Sequence, residues 1–312
     1  MIVTVTPNPS VDRTVEVDAL VRGAVLRARA AAVEAGGKGV NVARALAANG
    51  HRTRAVLPCG GAEGSQLAGL LLLPAVELVL VPVAGSIRAN ISIVEPDGTV
   101  TKINEPGPEL SPEEIDAVIA ATVQAAAGAD WVAASGSLPH GVPDDFYTRL
   151  FERLAPGPFR IALDSSGAPL QAALPCRPDV VKPNRDELAE ASGQAIVTLG
   201  DAADAAEVLR EKGARAVLIS LGPDGAILVD DAGARHGESP VDAPASPVGA
   251  GDALLAGFLS AGGSGEGALA EGLAWGAAAT RLPGSRMPGP ADLDRRSVRI
   301  HSSVARSRRL VV

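Results

Sequence analysis

The sequence predicts an α/β protein with a mainly parallel central sheet, helices on both of its faces, and a second, smaller sheet beside it. Three observations carry this. Short apolar, β-rich runs recur with Ala-rich amphipathic segments between them, the strand–helix alternation of a parallel sheet. Two regions, at about 12–34 and 87–105, break the alternation with extended half-polar runs such as TVEVDAL, ANISIVEPDG and TVTKINEPG. Finally, 312 residues with 46% hydrophobic content suffice for one large domain, and with aromatics at 2% its core must rest on Ala, Val and Leu. The expected organisation is one domain over 1–312, with the two irregular regions inserted as strands of a lid over the carboxyl ends of the main strands, where such folds bind ligands.

Each element has its own signal. Strands are expected at IVTVT, RAVLPCG, VELVLVPV, DWVAASG, RIALDSS, DVVKPN and AVLISLG, and helices at GVNVARALAANG, SPEEIDAVIAATVQAAAGA and LGDAADAAEVLREKGA. Ser111 with Glu114 three residues on reads as a capping box. Within EPDG, Asp97-Gly98 marks a hairpin tip. The apolar stretch at 67–85 is about long enough to span a bilayer, but Glu77, Pro74 and Pro82 interrupt it, so it reads as a helix end followed by a buried strand. The N-terminus MIVTVTPNPS lacks the basic and apolar regions of a signal peptide and reads as a first strand. The basic tail RRSVRIHSSVARSRRLVV reads as a last strand and a solvated end.

A net charge of −8 and a pI near 5.1 argue against a nucleic-acid binder, so positive charge for an anionic ligand must be local. Cys59 and Cys176 lie far apart without metal-ligand spacing and read as thiols of a reducing, cytoplasmic compartment. The four histidines, His51, His140, His236 and His301, are equally scattered, and no zinc cluster is visible.

The chemistry is expected in glycine-rich loops. In SPVGAGDALLAGFL, Leu254, Leu255, Phe258 and Leu259 mark a buried helical face, which places Gly249, Ala250 and Gly251 at the helix N-terminus. Unpaired N–H groups and the helix dipole make such an end an anion site, with Asp252 in the first turn. A plain glycine turn before a helix-favouring acid fits the same residues. EAGGKGVNVARALA places Gly36, Gly37 and Gly39 where backbone can approach a ligand, with Lys38 and Asn41 offering a charge and an amide. It has neither P-loop nor dinucleotide-fold spacing. Asp12 in TPNPSVDRT can accept from sugar hydroxyls or cap a turn. Lys182, Asn184 and Glu187 in VVKPNRDEL suit phosphate and magnesium, though Glu187 also suits a helix start. Ser220, Gly222 and Gly225 in ISLGPDGAILV suit a flat ligand or a plain hairpin. Taken together, an anion hole ending in an acid and a Lys/Asn/Glu cluster are what phosphoryl transfer to a hydroxyl needs.

The chain resembles the PfkB, ribokinase-like family of sugar kinases, within it most closely the branch of 1-phosphofructokinases and tagatose-6-phosphate kinases. The resemblance runs from TPNPSVDRT through GGKGVNVARAL, TKINEPGPEL, ASGSLPHGVP, VKPNRDEL and SLGPDGA to VGAGD, nearly the whole chain in order. It implies a three-layer ribokinase-like sandwich and ATP-dependent phosphorylation of a phosphorylated ketohexose, with fructose 1-phosphate favoured over tagatose 6-phosphate or fructose 6-phosphate. A neutral-sugar or nucleoside kinase and a catalytically silent sugar-phosphate sensor are the other readings. The resemblance implies Asp252 as base, with the N–H groups of Gly249, Ala250 and Gly251 as anion hole. Asp12, Gly36, Gly37, Asn41, Asn90 and Ser137 would hold the sugar, and Arg88 with Lys38 and Arg27 its phosphate. Lys182, Asn184, Ser220, Gly222 and Gly225 would line the ATP site, Glu187 and Asp164 would organise Mg2+ through water, and a homodimer would form through the lid sheet. The chain departs from the family pattern at Pro247, where a threonine is common before the Val of the signature.

Overall fold

The computed structural model describes residues 1–155 and 157–311, so the last residue of the basic tail, Val312, lies outside the described residues. The chain begins with β1 (Ile2–Val5), β2 (Ser10–Glu16), β3 (Ala30–Gly36), α1 (Lys38–Ala48), β4 (Thr53–Cys59), α2 (Gly61–Leu70) and β5 (Val76–Pro82). It continues through β6 (Arg88–Val94), β7 (Val100–Asn104), α3 (Pro112–Ala125), β8 (Trp131–Ser135), α4 (Phe146–Leu154), β9 (Arg160–Asp164) and α5 (Gly167–Ala173). The remainder is β10 (Val180–Val181), α6 (Arg185–Ser192), α7 (Leu199–Glu211), β11 (Val217–Ser220), β12 (Ala226–Asp230), β13 (Gly233–Glu238), α8 (Ala250–Ser260), α9 (Gly265–Thr280) and β14 (Arg299–His301).

Among the described residues ten strands form one sheet in the order β14-β13-β12-β11-β10-β9-β8-β1-β4-β5. The strands from β11 through β5 pair in parallel, and β12, β13 and β14 extend the sheet antiparallel. β1 and β8 are buried at every residue, as central strands covered on both faces must be. One face packs against α3 to α7 through residues such as Ile119, Leu150, Leu170, Leu188 and Leu209. The other packs against α1, α8 and α9 through Val42, Leu46, Leu255, Phe258, Leu269 and Trp275. These layers and the separate sheet are the architecture expected. The capping box at Ser111 and Glu114 is present, and two more, Asn184 with Glu187 and Thr198 with Asp201, start α6 and α7.

The second sheet runs β3-β2-β6-β7. Its central pair, β2 and β6, is parallel and sets Ser10 opposite Arg88 and Asp12 opposite Asn90. Because side chains alternate along a strand, these four lie on one face, and the antiparallel neighbour β3 adds Glu34 and Gly36 to it. The turn at Asp97-Gly98 closes as expected, with the Gly98 N–H donating to the Glu95 carbonyl at 3.0 Å.

One expectation needs correction. The run at 76–82 is not a buried strand: β5 is the edge of the main sheet, where one side has no neighbour, and only Val81 along it is buried. Before it, Leu72 is 78% exposed. The tail beyond β14 is exposed along most of its length, as expected, but it is held to the fold. It returns along the start of α7, where Leu199 and Gly200 N–H groups donate to the Arg308 and Arg306 carbonyls at 2.9 and 3.0 Å. Leu310 then enters the core, and burying that leucine offsets the ordering of a polar strap. No helix among the described residues is long and apolar enough to cross a membrane.

Candidate active site

The carboxyl ends of β1, β8, β9 and β10 meet the N-termini of α1 and α8. Gly249, at φ 79°, sits in the left-handed region that lets the chain turn into α8. Gly249, Ala250 and Gly251 occupy the helix start, and Asp252 follows in the first turn, 8% exposed. At the end of β3, just before α1, a side chain on Gly36 would collide with the Asp12 carboxylate of the neighbouring β2, so this glycine makes room for that carboxylate.

The Asp252 carboxylate accepts from Asn41 Nδ2 at 2.8 Å. Burial, reinforced by the negative charge of Asp164, pushes the Asp252 carboxyl up to about 6, against the pull of Lys182, Asn41 and Lys38. Asp164, at the end of β9, is wholly buried between two ammonium groups, Lys38 Nζ at 2.8 Å and Lys182 Nζ at 3.0 Å. Burial works against its charge, but Lys182 and then Lys38 hold it below the ordinary carboxylate range. Lys38 also meets Glu187 Oε1 at 2.9 Å. Burial again opposes the charge, and Asp164 and Glu187 overcome it to raise the Lys38 ammonium above its usual value.

Lys38, expected beside a substrate phosphate, thus stands with Lys182, Glu187 and Asp164 as one network. Lys182 Nζ reaches the backbone at the start of α8, since a side chain on Gly251 would come within 3.4 Å of it. Glu187 takes the helix-start role, its Oε2 accepting the Asn184 N–H in the capping box, while its Oε1 holds Lys38. Asn184 bridges to Ser220 at the edge of the neighbouring turn. Within that turn Gly222 is open to space, whereas Gly225 is a glycine because a side chain would strike the Gly237 carbonyl of β13.

On the lid face Asp12 Oδ1 accepts from Ser10 Oγ at 2.7 Å and Asn90 Nδ2 at 2.9 Å. The Arg88 guanidinium donates to the Asn8 and Glu105 carbonyls at 3.1 and 3.3 Å. Arg88 Nε and Asn90 Oδ1 are buried without a partner among the described residues. Buried orphans are costly. Ser137 is exposed in the loop after β8, and Arg27 is exposed between β2 and β3. The structure gathers Asp12, Asn90 and Arg88 on the lid face and Asn41 with Asp252 below it, and leaves Arg27 outside.

The family model for pfkB carbohydrate kinases matches residues 5–292. A 1-phosphofructokinase of Rhodobacter capsulatus is 41% identical over 267 residues, 83% of either chain. The chain belongs to the pfkB family of carbohydrate kinases. A Mycobacterium tuberculosis relative, an ATP-dependent 6-phosphofructokinase isozyme 2, is 35% identical over 94% of this chain and 88% of its own. The crystal structure of Escherichia coli phosphofructokinase-2 in complex with potassium superposes with a TM-score of 0.87 at 33% identity, covering 93% of this chain and 96% of that one.

This pfkB-family site includes a residue that sequence reasoning missed. Arg44, one turn along α1 from Asn41, donates to Asn41 Oδ1 at 3.1 Å and to the Ala35 carbonyl at 2.9 Å. With its oxygen claimed by a cation, the Asn41 amide must present nitrogen to Asp252. Glu34 holds Arg44 at 3.8 Å and accepts the Ser285 N–H at 3.1 Å. The local signal was the three-residue spacing of Asn41 and Arg44 on a helix.

Proposed function

We propose that this kinase transfers the γ-phosphoryl of ATP to a hydroxyl of fructose 1-phosphate, and that Asp252 takes the hydroxyl proton. The observation that supports it best is the buried Asp252 carboxyl, pushed up to about 6, beside the start of a glycine-opened helix. A base tuned there is ionised at neutral pH yet strong enough to accept a proton late in a loose transfer. The N–H groups of Gly249, Ala250 and Gly251 meet the charge developing on the transferring group. Asp12, Asn90, Asn41, Gly36, Gly37 and Ser137 hold the sugar, and Arg88 carries its phosphate, with exposed Arg27 arriving from the lid. Lys38 and Lys182 serve ATP phosphates, and Asn184, Ser220, Gly222 and Gly225 line the rest of the nucleotide site.

The donor chemistry fits Mg2+ at Glu187, an oxygen ligand beside phosphate-binding lysines. Asp164 is too enclosed to face the ion and acts by holding the two lysines. Bound there with ATP, Mg2+ would neutralise phosphate charge.

An acceptor panel tests the reading: ADP release with MgATP and fructose 1-phosphate, fructose 6-phosphate, tagatose 6-phosphate, fructose, ribose or adenosine. The highest kcat/KM is expected for fructose 1-phosphate. The Mycobacterium tuberculosis relative supports fructose 6-phosphate as the second reading, and a preference for that sugar would replace the first. Arg88→Ala should raise the KM for the sugar phosphate about 10- to 100-fold, the worth of a charged hydrogen-bond pair, with the KM for ATP unchanged. An unchanged sugar KM would remove Arg88 from the site.

The partner is a second copy of the chain, joined through the lid. In support, Val25 is 90%, Ile103 52% and Val100 49% exposed in and beside the second sheet. Introducing charge with Val25→Asp and Ile103→Asp together should convert a dimer to monomers in sedimentation equilibrium, and an unaltered mass would place the interface elsewhere. Two free cysteines support a reducing, cytoplasmic setting.

A further inference from the structure

At one edge of the main sheet, the outer strands bring together residues whose spacing shows no metal motif. β13 and β14 pair His236 directly with His301, and Glu238 lies two residues from His236 on the same face. One ring nitrogen of each histidine and one Glu238 oxygen all lie within 4.8 Å of one another. The imidazoles stack at 5.6 Å with their planes 13° apart.

The distances and hydrogen bonds around this trio are those of a ligand set. His301 Nε2 stands 3.5 Å from Glu238 Oε1. Two donors bound at about 2.0–2.2 Å in a tetrahedral shell lie roughly 3.4 Å apart, so an ion fits between them with little movement. The other Glu238 oxygen, Oε2, accepts from Arg308 Nη1 at 2.9 Å, which leaves Oε1 for a metal. The His236 Nε2–H donates to the Asp224 carbonyl at 2.7 Å and so leaves the lone pair on Nδ1. A backbone carbonyl behind one imidazole and an arginine behind the carboxylate are the supports that orient metal ligands and set their tautomers. His236 is buried and His301 exposed, so an ion can enter from the His301 side.

We propose that His236, Glu238 and His301 form a second metal site, selective for a borderline transition ion such as Zn2+ or Cu2+ over Mg2+. Two imidazoles and one carboxylate favour zinc, copper and nickel, whereas magnesium prefers oxygen donors. The fourth position is open to water. The site lies behind the Gly222–Asp224 turn: the Asp224 carbonyl supports His236 while its side chain takes Arg308 and the Val311 N–H at 3.1 and 2.7 Å.

The test uses the full chain without an affinity tag. One equivalent of Cu2+ should give an electron paramagnetic resonance spectrum with nitrogen hyperfine structure from two imidazoles, and Zn2+ should displace it. His301→Ala should reduce that structure to one nitrogen and weaken Zn2+ binding by calorimetry at least tenfold, the scale on which supporting groups alone act, while thermal unfolding and basal kinase activity stay unchanged. Glu238→Gln should weaken binding without altering the two-nitrogen signature. Equal Zn2+ affinity in wild type and His301→Ala, or a Cu2+ spectrum without paired nitrogens, would overturn the site. Neither readout depends on which sugar is the acceptor.

Discussion

Asp252→Asn lowers kcat by about 10²- to 10⁴-fold, the range for removing a positioned general base. The amide keeps the shape and loses the ability to take a proton. Loss of fold would not account for the result. A carboxyl whose folded value is raised to about 6 favours its neutral form in the native state, so above that pH its ionised form costs stability. The neutral amide of the Asp252→Asn variant should therefore leave thermal stability at neutral pH equal or higher. The wild-type rate should rise as pH passes upward through about 6, where the base loses its proton. Near-normal turnover in Asp252→Asn would end the assignment of Asp252 as base.

Asp164→Asn is expected to act on stability and on catalysis at once. The substitution removes the counterion that Lys38 and Lys182 share, and the side chains of Lys182 and Asp164 are 4% and 0% exposed. An uncompensated buried ammonium costs about 3 kcal/mol or more, a fall in Tm of about 5 °C or more for a chain of this length. Asp164 sits below its ordinary 3.8, so its contribution is complete above that pH and is lost as pH falls through the depressed folded value. The second effect falls on Asp252. Without the negative charge of Asp164 beside it, the Asp252 carboxyl ionises more readily, and the acid limb of the pH–rate profile moves to lower pH. A destabilised variant with an unshifted acid limb would separate the two carboxylates and remove the coupling.

What was legible in the sequence was local. The start of α8, the capping box at Ser111 and the Asp97-Gly98 turn depend on neighbours within a few residues, and each was readable from spacing. Strand order was not. The half-exposure of β5 follows from its place at the sheet edge, and the burial of Leu310 from a strap that pairs with the start of α7. The same distinction runs through the site. The GGKG loop announced Lys38 but not its direction, because the carboxylates that fix it come from positions 126 and 149 residues away. His236 and His301 became neighbours only through cross-strand register. Arg44 is the exception, since its contact with Asn41 is local and its spacing is visible in the sequence.

The parallel pairing of β2 with β6 has a kinetic consequence. Asn90 and Ser10, which bond across that pair at 3.0 Å, are 80 positions apart in the chain. The loop between them holds β3, α1, β4, α2 and β5, so closing the pair costs more chain entropy than a local contact does. The face that carries Ser10, Asp12, Arg88 and Asn90 is then expected to open more readily than the centre of the main sheet. Amide hydrogen exchange should report faster local opening for β2 and β6 than for β1 and β8. If this face binds the sugar as proposed, a partly opened molecule would lose the acceptor before the main sheet is lost.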